Sequence, residues 1–166
     1  MGQYHYLVNI NKRQFIHPHR IGNGLKLYEQ IRWPYSTATA LVMLLAGSNG
    51  EGGRGGGDFR SHHPLIGSWA GDRIAFIGDY SEPEDIPACN AERIYAECNA
   101  ACSFREDREA KKCRRRWTNI SEQVREMMSA EFNIRYTGDG WLDIVEKKAG
   151  KTQPALAPDL VITPQT

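Results

Sequence analysis

The chain lacks most of the features that disclose a function quickly. Among its 166 residues the longest apolar run is "ALVMLLAG" (Ala40–Gly47), far short of the ~20 residues that a membrane-spanning helix needs. The beginning, "MGQYHYLVNINKR", carries no apolar stretch of the length a secretion signal requires. Met1-Gly2 starts as an N-myristoylation motif does, but Tyr6 stands where that motif wants Ser or Thr. The four cysteines (Cys89, Cys98, Cys102, Cys113) include no Cys-x-x-Cys pair, which argues against zinc-ribbon and thioredoxin-like readings. A formal net charge of +1, with 25% charged residues, gives no overall field that would announce a nucleic-acid or membrane partner. These absences lead us to expect a cytoplasmic protein with free thiols, no membrane partner and no cofactor.

What is present suggests one α+β domain. Tyr4–Ile10 ("YHYLVNI") is rich in aromatic and branched residues and can pair with Gln14–His17 as a hairpin. Ser36 is placed to cap a helix running to Ala46, with Gly47 as its stop. "RIAFI" (Arg73–Ile77), between two Gly-Asp pairs, suits a buried central strand over 73–79. A long helix is expected from Cys89 to Trp117 and another over Ser121–Glu131, capped by Asn119. Ile134–Tyr136 and Trp141–Val145 read as a second hairpin across "TGDG". The expectation is a small, mostly antiparallel sheet packed with about three helices over 1–148, a Gly-rich loop at 47–58, and a flexible Pro-rich tail over 149–166.

The stretch "GSNGEGGRGGGDFRSHH" contains Gly50-x-Gly52-x-x-Gly55, which matches a dinucleotide fingerprint on paper. That fingerprint works only between a strand and a helix, where the helix N-terminus faces the pyrophosphate. Here a helical segment precedes the glycines, and Pro64 breaks the segment after them. No Gly-Lys-Ser/Thr is present at the end of the glycines either, so a Walker loop is excluded. Two readings remain: an anion-binding nest helped by Arg54 and Arg60, or a plain connection.

His17, His19, His62 and His63 fall in two short turn-like segments. Three of them with Asp58, Asp72 or Asp79 could hold a divalent metal or serve a His/Asp hydrolase, although the spacing matches no recognised metal site. Cys98 and Cys102 share a helical face with Ala91 and Ile94, the pattern of small core residues. The run "KKCRRRW" supplies Lys111, Lys112, Arg114, Arg115, Arg116 and Trp117 as a candidate nucleic-acid contact. Glu106, Asp107 and Glu109 lie interleaved just upstream, as on an ordinary solvated helix face.

The segments "MGQYHYLVNINKRQFIHPHRIGNGLKL", "RGGGD" and "IGSWAGDRIAFIGDYSE" together resemble a group of small proteins carried by phages, plasmids and bacterial genomes. The likeness covers Met1 to Glu82, and the group has no assigned activity. It implies a mobile-element accessory protein, such as an inhibitor of a host system, that binds a host or phage component. The half from Cys89 onward has no counterpart in it.

Within the matched segments Asp58, Asp72 and Asp79 each follow a glycine. Gly-Asp is ordinarily a turn, yet with Arg54, Arg60, Trp69 and Arg73 nearby these acids form a candidate binding rim. The leading expectation is therefore a non-enzymatic binding protein that presents this rim to a macromolecule, a protein rather than a nucleic acid. The alternatives are a small-molecule or nucleotide-binding protein and a nucleic-acid-binding protein using 111–117.

Overall fold

The computed structural model of the chain describes residues 3–47, 59–138, 144–148 and 151–154. The N-terminal hairpin forms as expected. Strand β1 (His5–Asn9) runs antiparallel to β2 (Gln14–Ile16), with Leu7 opposite Ile16 and Val8 opposite Phe15. The turn closes where the Lys12 amide donates to Asn9 Oδ1 at 2.9 Å. On the other side of β1 lies antiparallel β3 (Ile74–Gly78), and beyond β2 a two-residue strand, β4 (Thr118–Asn119), pairs in parallel. The order is β3-β1-β2-β4.

Helices cover both faces of this sheet. On one face Leu7, Ile16, Ile74 and Phe76 pack with α2 (Thr37–Leu45) and α5 (Ser121–Phe132), through Met43, Leu44, Val124, Met127 and Met128. On the other, Tyr6, Val8, Phe15, Ala75 and Ile77 meet Ala91, Ile94 and Cys98 of α3 (Ala91–Cys102), with Trp117 beside them. Successive strand residues point to opposite faces, so both members of each pair enter a core. Burying one large apolar side chain completely is worth ~1.5–3 kcal/mol. The molecule is a single small α+β domain of three layers, and among the described residues no helix is long and apolar enough to cross a membrane.

Four differences from expectation have physical reasons. The strand over 73–79 stands at the edge of its sheet, not the middle. Its continuous apolar run reflects burial on both faces, which an edge strand shares when helices cover both sides. The single long helix expected over 89–117 is two, α3 and α4 (Arg108–Arg116). Ser103 Oγ donates to the Ala100 carbonyl at 2.7 Å, ending α3, and Asp107 Oδ1 accepts from the Ala110 amide at 2.8 Å, starting α4. A short helix not expected, α1 (Leu27–Arg32), comes after a 3-10 turn at Pro18–Ile21, so the described residues hold five α-helices in place of about three. Lastly, the C-terminal hairpin does not join the main sheet. Strands β5 (Ile134–Tyr136) and β6 (Ile144–Lys148) form a second sheet with β7 (Lys151–Pro154), which lies in the stretch expected as a tail.

The Ser36 cap is in place, whereas α5 has Ile120 at its N-cap position without a side-chain cap bond, and Asn119, one residue earlier, braces the first helical residue instead. Ser36 Oγ accepts from the Thr39 amide, and Asn119 Oδ1 accepts from the Ser121 amide and hydroxyl.

Candidate functional surface

The described residues of the expected rim do not converge. Trp69 is fully buried (0% exposed), and its indole Nε1 donates to Gln14 Oε1 at 2.8 Å. It is a core residue, because the Leu65–Asp72 turns fold its ring under the sheet and Gln14 satisfies its one polar atom. Asp72 and Asp79 flank β3 at opposite ends, seven residues apart, which is ~23 Å of extended chain. Each closes one end of the ladder. Asp79 Oδ1 accepts from the Tyr4 amide at 2.9 Å, and the Asp79 amide donates to the Tyr4 carbonyl. At the other end Asn9 Nδ2 donates to Asp72 Oδ2 at 2.8 Å, with Lys12 Nζ 3.3 Å away. The Asn9 hydrogen bond, helped by Lys12, holds the Asp72 carboxyl below the usual carboxylate range.

Arg73 belongs to the same clamp. Its amide donates to Asn11 Oδ1 at 2.7 Å and its guanidinium to the Pro87 carbonyl. Arg60 is exposed on the segment that the Ser61 amide ties to Glu131 of α5. Arg54, Asp58 and the Gly-rich loop lie outside the described residues, apart from Gly47.

Among the described residues the histidines join no set of metal ligands. His17 and His19 have ring centroids 5.4 Å apart, and His17 leans on Tyr6 at 5.2 Å. His63 Nδ1 accepts from the Leu65 amide at 3.3 Å, and His62 is exposed beside it. Among the described residues no three His, Cys, Asp or Glu side chains stand close enough to share a metal ion. The Cys98 and Cys102 thiols are poorly suited to metal binding or nucleophilic attack. Burial pushes Cys98 up and Cys102 up to about 12, so both stay protonated at neutral pH.

The basic run divides into two sets. The inner set holds the fold. Arg116 Nη1 donates to Glu97 Oε1, and Trp117, nearly buried, donates its indole Nε1 to Glu97 Oε2 at 2.7 Å. Arg93 Nε reaches the same carboxylate at 2.9 Å. Burial alone would raise the Glu97 carboxyl, but the Trp117 hydrogen bond with Arg93 and Arg116 outweighs it and keeps the group below its usual range. Arg114 reaches over the α3–α4 loop and donates to the carbonyls of Ser103 and Arg105, each at 3.0 Å.

The outer set faces solvent. Arg108, Lys111, Lys112 and Arg115 recur at i, i+3, i+4 and i+7, one side of a helix, and line a shallow hollow of about 470 Å³ with Glu106. Lys111 pairs with Glu106 at 3.3 Å and Lys112 with Glu109 at 3.8 Å, both exposed. Such pairs are worth ~0.2–1 kcal/mol and exchange readily for another anion. Asp107 and Arg105 pair at 2.7 Å at the start of the same helix.

Sequence reasoning missed Phe104. It lies in the loop that Arg114 clasps and is 90% exposed, with the Arg20 guanidinium 5.8 Å from its ring centroid. Its signal was the break at "SFRED": a large aromatic between two helix-capping residues cannot enter either helix's buried face. Arg108 stands ahead of the contiguous run and shares its outer stripe. Comparison with known proteins finds no matching family model, no matching curated protein and no matching solved structure.

Proposed function

We propose that this chain is an accessory binding protein, in the mobile-element context that its first half resembles, and that it contacts single-stranded nucleic acid through the α3–α4 loop and the outer face of α4. The observation that carries the reading is the division of the basic run. Two arginines and Trp117 are engaged inside the fold, and four cations are presented on one solvent face about 10 Å long. A row of cations at helical spacing fits a phosphate backbone, whose affinity comes from neutralised phosphates.

Phe104 favours a single strand over an acidic protein. An exposed ring held by a clasped loop is a surface on which an unpaired base stacks. Duplex DNA would hide its base faces from that ring. Phosphates can take the places of the Glu106 and Glu109 carboxylates on Lys111 and Lys112.

The test is a titration of fluorescein-labelled oligothymidine at low salt. Replacing Arg108, Lys111, Lys112 and Arg115 by Gln should weaken binding at least tenfold. It should also make the salt dependence shallower by about 3 in the log–log slope, at ~0.7 per lost phosphate contact. Phe104→Ala should cost a further ~1–3 kcal/mol of binding. Equal affinity in all three proteins would sink the reading.

A further inference from the structure

A cleft of about 1050 Å³ lies between the start of β1 and α1, lined on its remaining side by His19 of the Pro18–Ile21 turn. That volume is at the upper end of small-ligand pockets, which run ~300–1,000 Å³. Three basic side chains line it, His19, Lys26 and Arg32, together with the rings of Tyr4, Tyr28 and Trp33. The Arg32 guanidinium lies 5.0 Å from the Trp33 ring centroid and 5.7 Å from that of Tyr28. Such stacking orients its fork while leaving the N–H edges open. Among the described residues neither Lys26 nor Arg32 has a carboxylate partner.

The cleft's one acid, Glu29, is already engaged. Its Oε2 accepts from the Lys26 amide at 3.1 Å, and its carboxylate lies over Gly24, where a side chain at position 24 would push it aside. Below, Asn23 is 2% exposed. Its Oδ1 accepts from the Thr37 amide at 2.6 Å and from the Thr37 hydroxyl at 3.0 Å, while its Nδ2 meets no acceptor among the described residues. Such a buried donor is open to an acceptor atom, whether of a water or of a bound molecule.

We infer that this cleft binds a nucleoside monophosphate, its base against the Tyr4 ring, beside the Arg32–Tyr28–Trp33 stack, and its phosphate held by Lys26, Arg32 and His19. Aromatic walls suit a flat heterocycle. Two cations without carboxylate partners, beside a histidine, suit a dianion better than a single carboxylate. The size of the cavity leaves room for the sugar between them. The site is separate from the α4 stripe and shares no residue with it, so it stands whether or not that stripe binds nucleic acid.

The experiment is calorimetric titration of the whole protein with AMP, adenosine and inorganic phosphate. AMP should bind saturably at one site and raise the melting temperature, and each fragment should bind at least tenfold more weakly. Arg32→Ala and Lys26→Ala, both at exposed positions, should each weaken AMP at least tenfold without lowering the melting temperature of the ligand-free protein. The quadruple α4 variant should bind AMP as the parent does. No heat with millimolar AMP, phosphate binding as tightly as AMP, or AMP binding indifferent to both substitutions would each overturn the assignment.

Discussion

At the two ends of β3 the charged residues Asp72, Arg73 and Asp79 are held by the chain itself, whereas on the outer side of α4 four cations face water. Asp72, Arg73 and Asp79 sit in turns, where their polar groups close the β1–β3 ladder. Arg108, Lys111, Lys112 and Arg115 sit on a helix whose other side is already anchored by Ala110, Cys113 and Glu97's contacts with Arg116 and Trp117. Both segments are rich in charge along the sequence. The partners are different: a polar group near a strand end has backbone amides within reach, and a mid-helix cation on the outer face has none. A charged segment is therefore available to a ligand only where the local backbone is already satisfied.

The sharpest way to break the comparison is to treat Trp69 as a surface residue. Trp69→Ala should cost ~3–5 kcal/mol in urea denaturation, and a variant that unfolds at the parental midpoint would return the β3 region to consideration as a binding surface. Glu97→Ala comes next. It strands the Trp117 indole and the Arg116 guanidinium, and should cost ~2–3 kcal/mol, with Glu97→Gln milder. An unchanged midpoint would mean that α4 does not depend on α3, and that its inner arginines are as open as the outer ones.

A smaller effect is expected at Asp72. Asp72→Asn should lower the midpoint less than either of those and leave oligonucleotide binding untouched. The sign with pH comes from its depressed folded pKa. The stability it provides is present above the unfolded value of ~3.9 and is lost as pH falls through the folded one, so the variant and parent should converge in strong acid. The gentlest probe leaves stability alone. With iodoacetamide at pH 8, half-buried Cys89 should alkylate well before Cys98 and Cys102, whose thiols burial keeps protonated. Early labelling of Cys102 would show that the layer beneath the α3–α4 loop opens readily.

The parts of the fold that were legible are those set by short-range chemistry. Ser36 reads as a cap because its acceptor bonds three residues ahead, and the β1–β2 hairpin reads from branched residues on either side of a turn. The apolar run at Ile74–Ile77 announces a strand, but not its neighbours, since burial on both faces looks the same at an edge and in a centre. Trp69 could not be placed from sequence because its burial depends on Gln14, 55 residues away. The nucleic-acid candidate was half legible. The contiguous run named cations that a helix sends in two directions, and only the 3.6-residue period separates Lys111, Lys112 and Arg115 from Arg114 and Arg116. The cleft left no trace, because Tyr4, His19 and the α1 residues come together only through the turn at Gly22, whose φ of 75° reverses the chain.

The short parallel pairing of β2 with β4 sets an order of assembly. The β1–β2 hairpin closes across a few residues, a microsecond event. The Thr118 amide, by contrast, reaches the Arg13 carbonyl and the Ile120 amide the Phe15 carbonyl across about a hundred residues of chain. Closing so long a loop costs more chain entropy than closing the hairpin, so those two bonds are expected to form after it. In folding from denaturant, the amides of the β1–β2 hairpin should gain protection from hydrogen exchange before those of Thr118 and Ile120. The fourth strand would then be the last piece added to the main sheet, and its arrival fixes the end of α4 against β2.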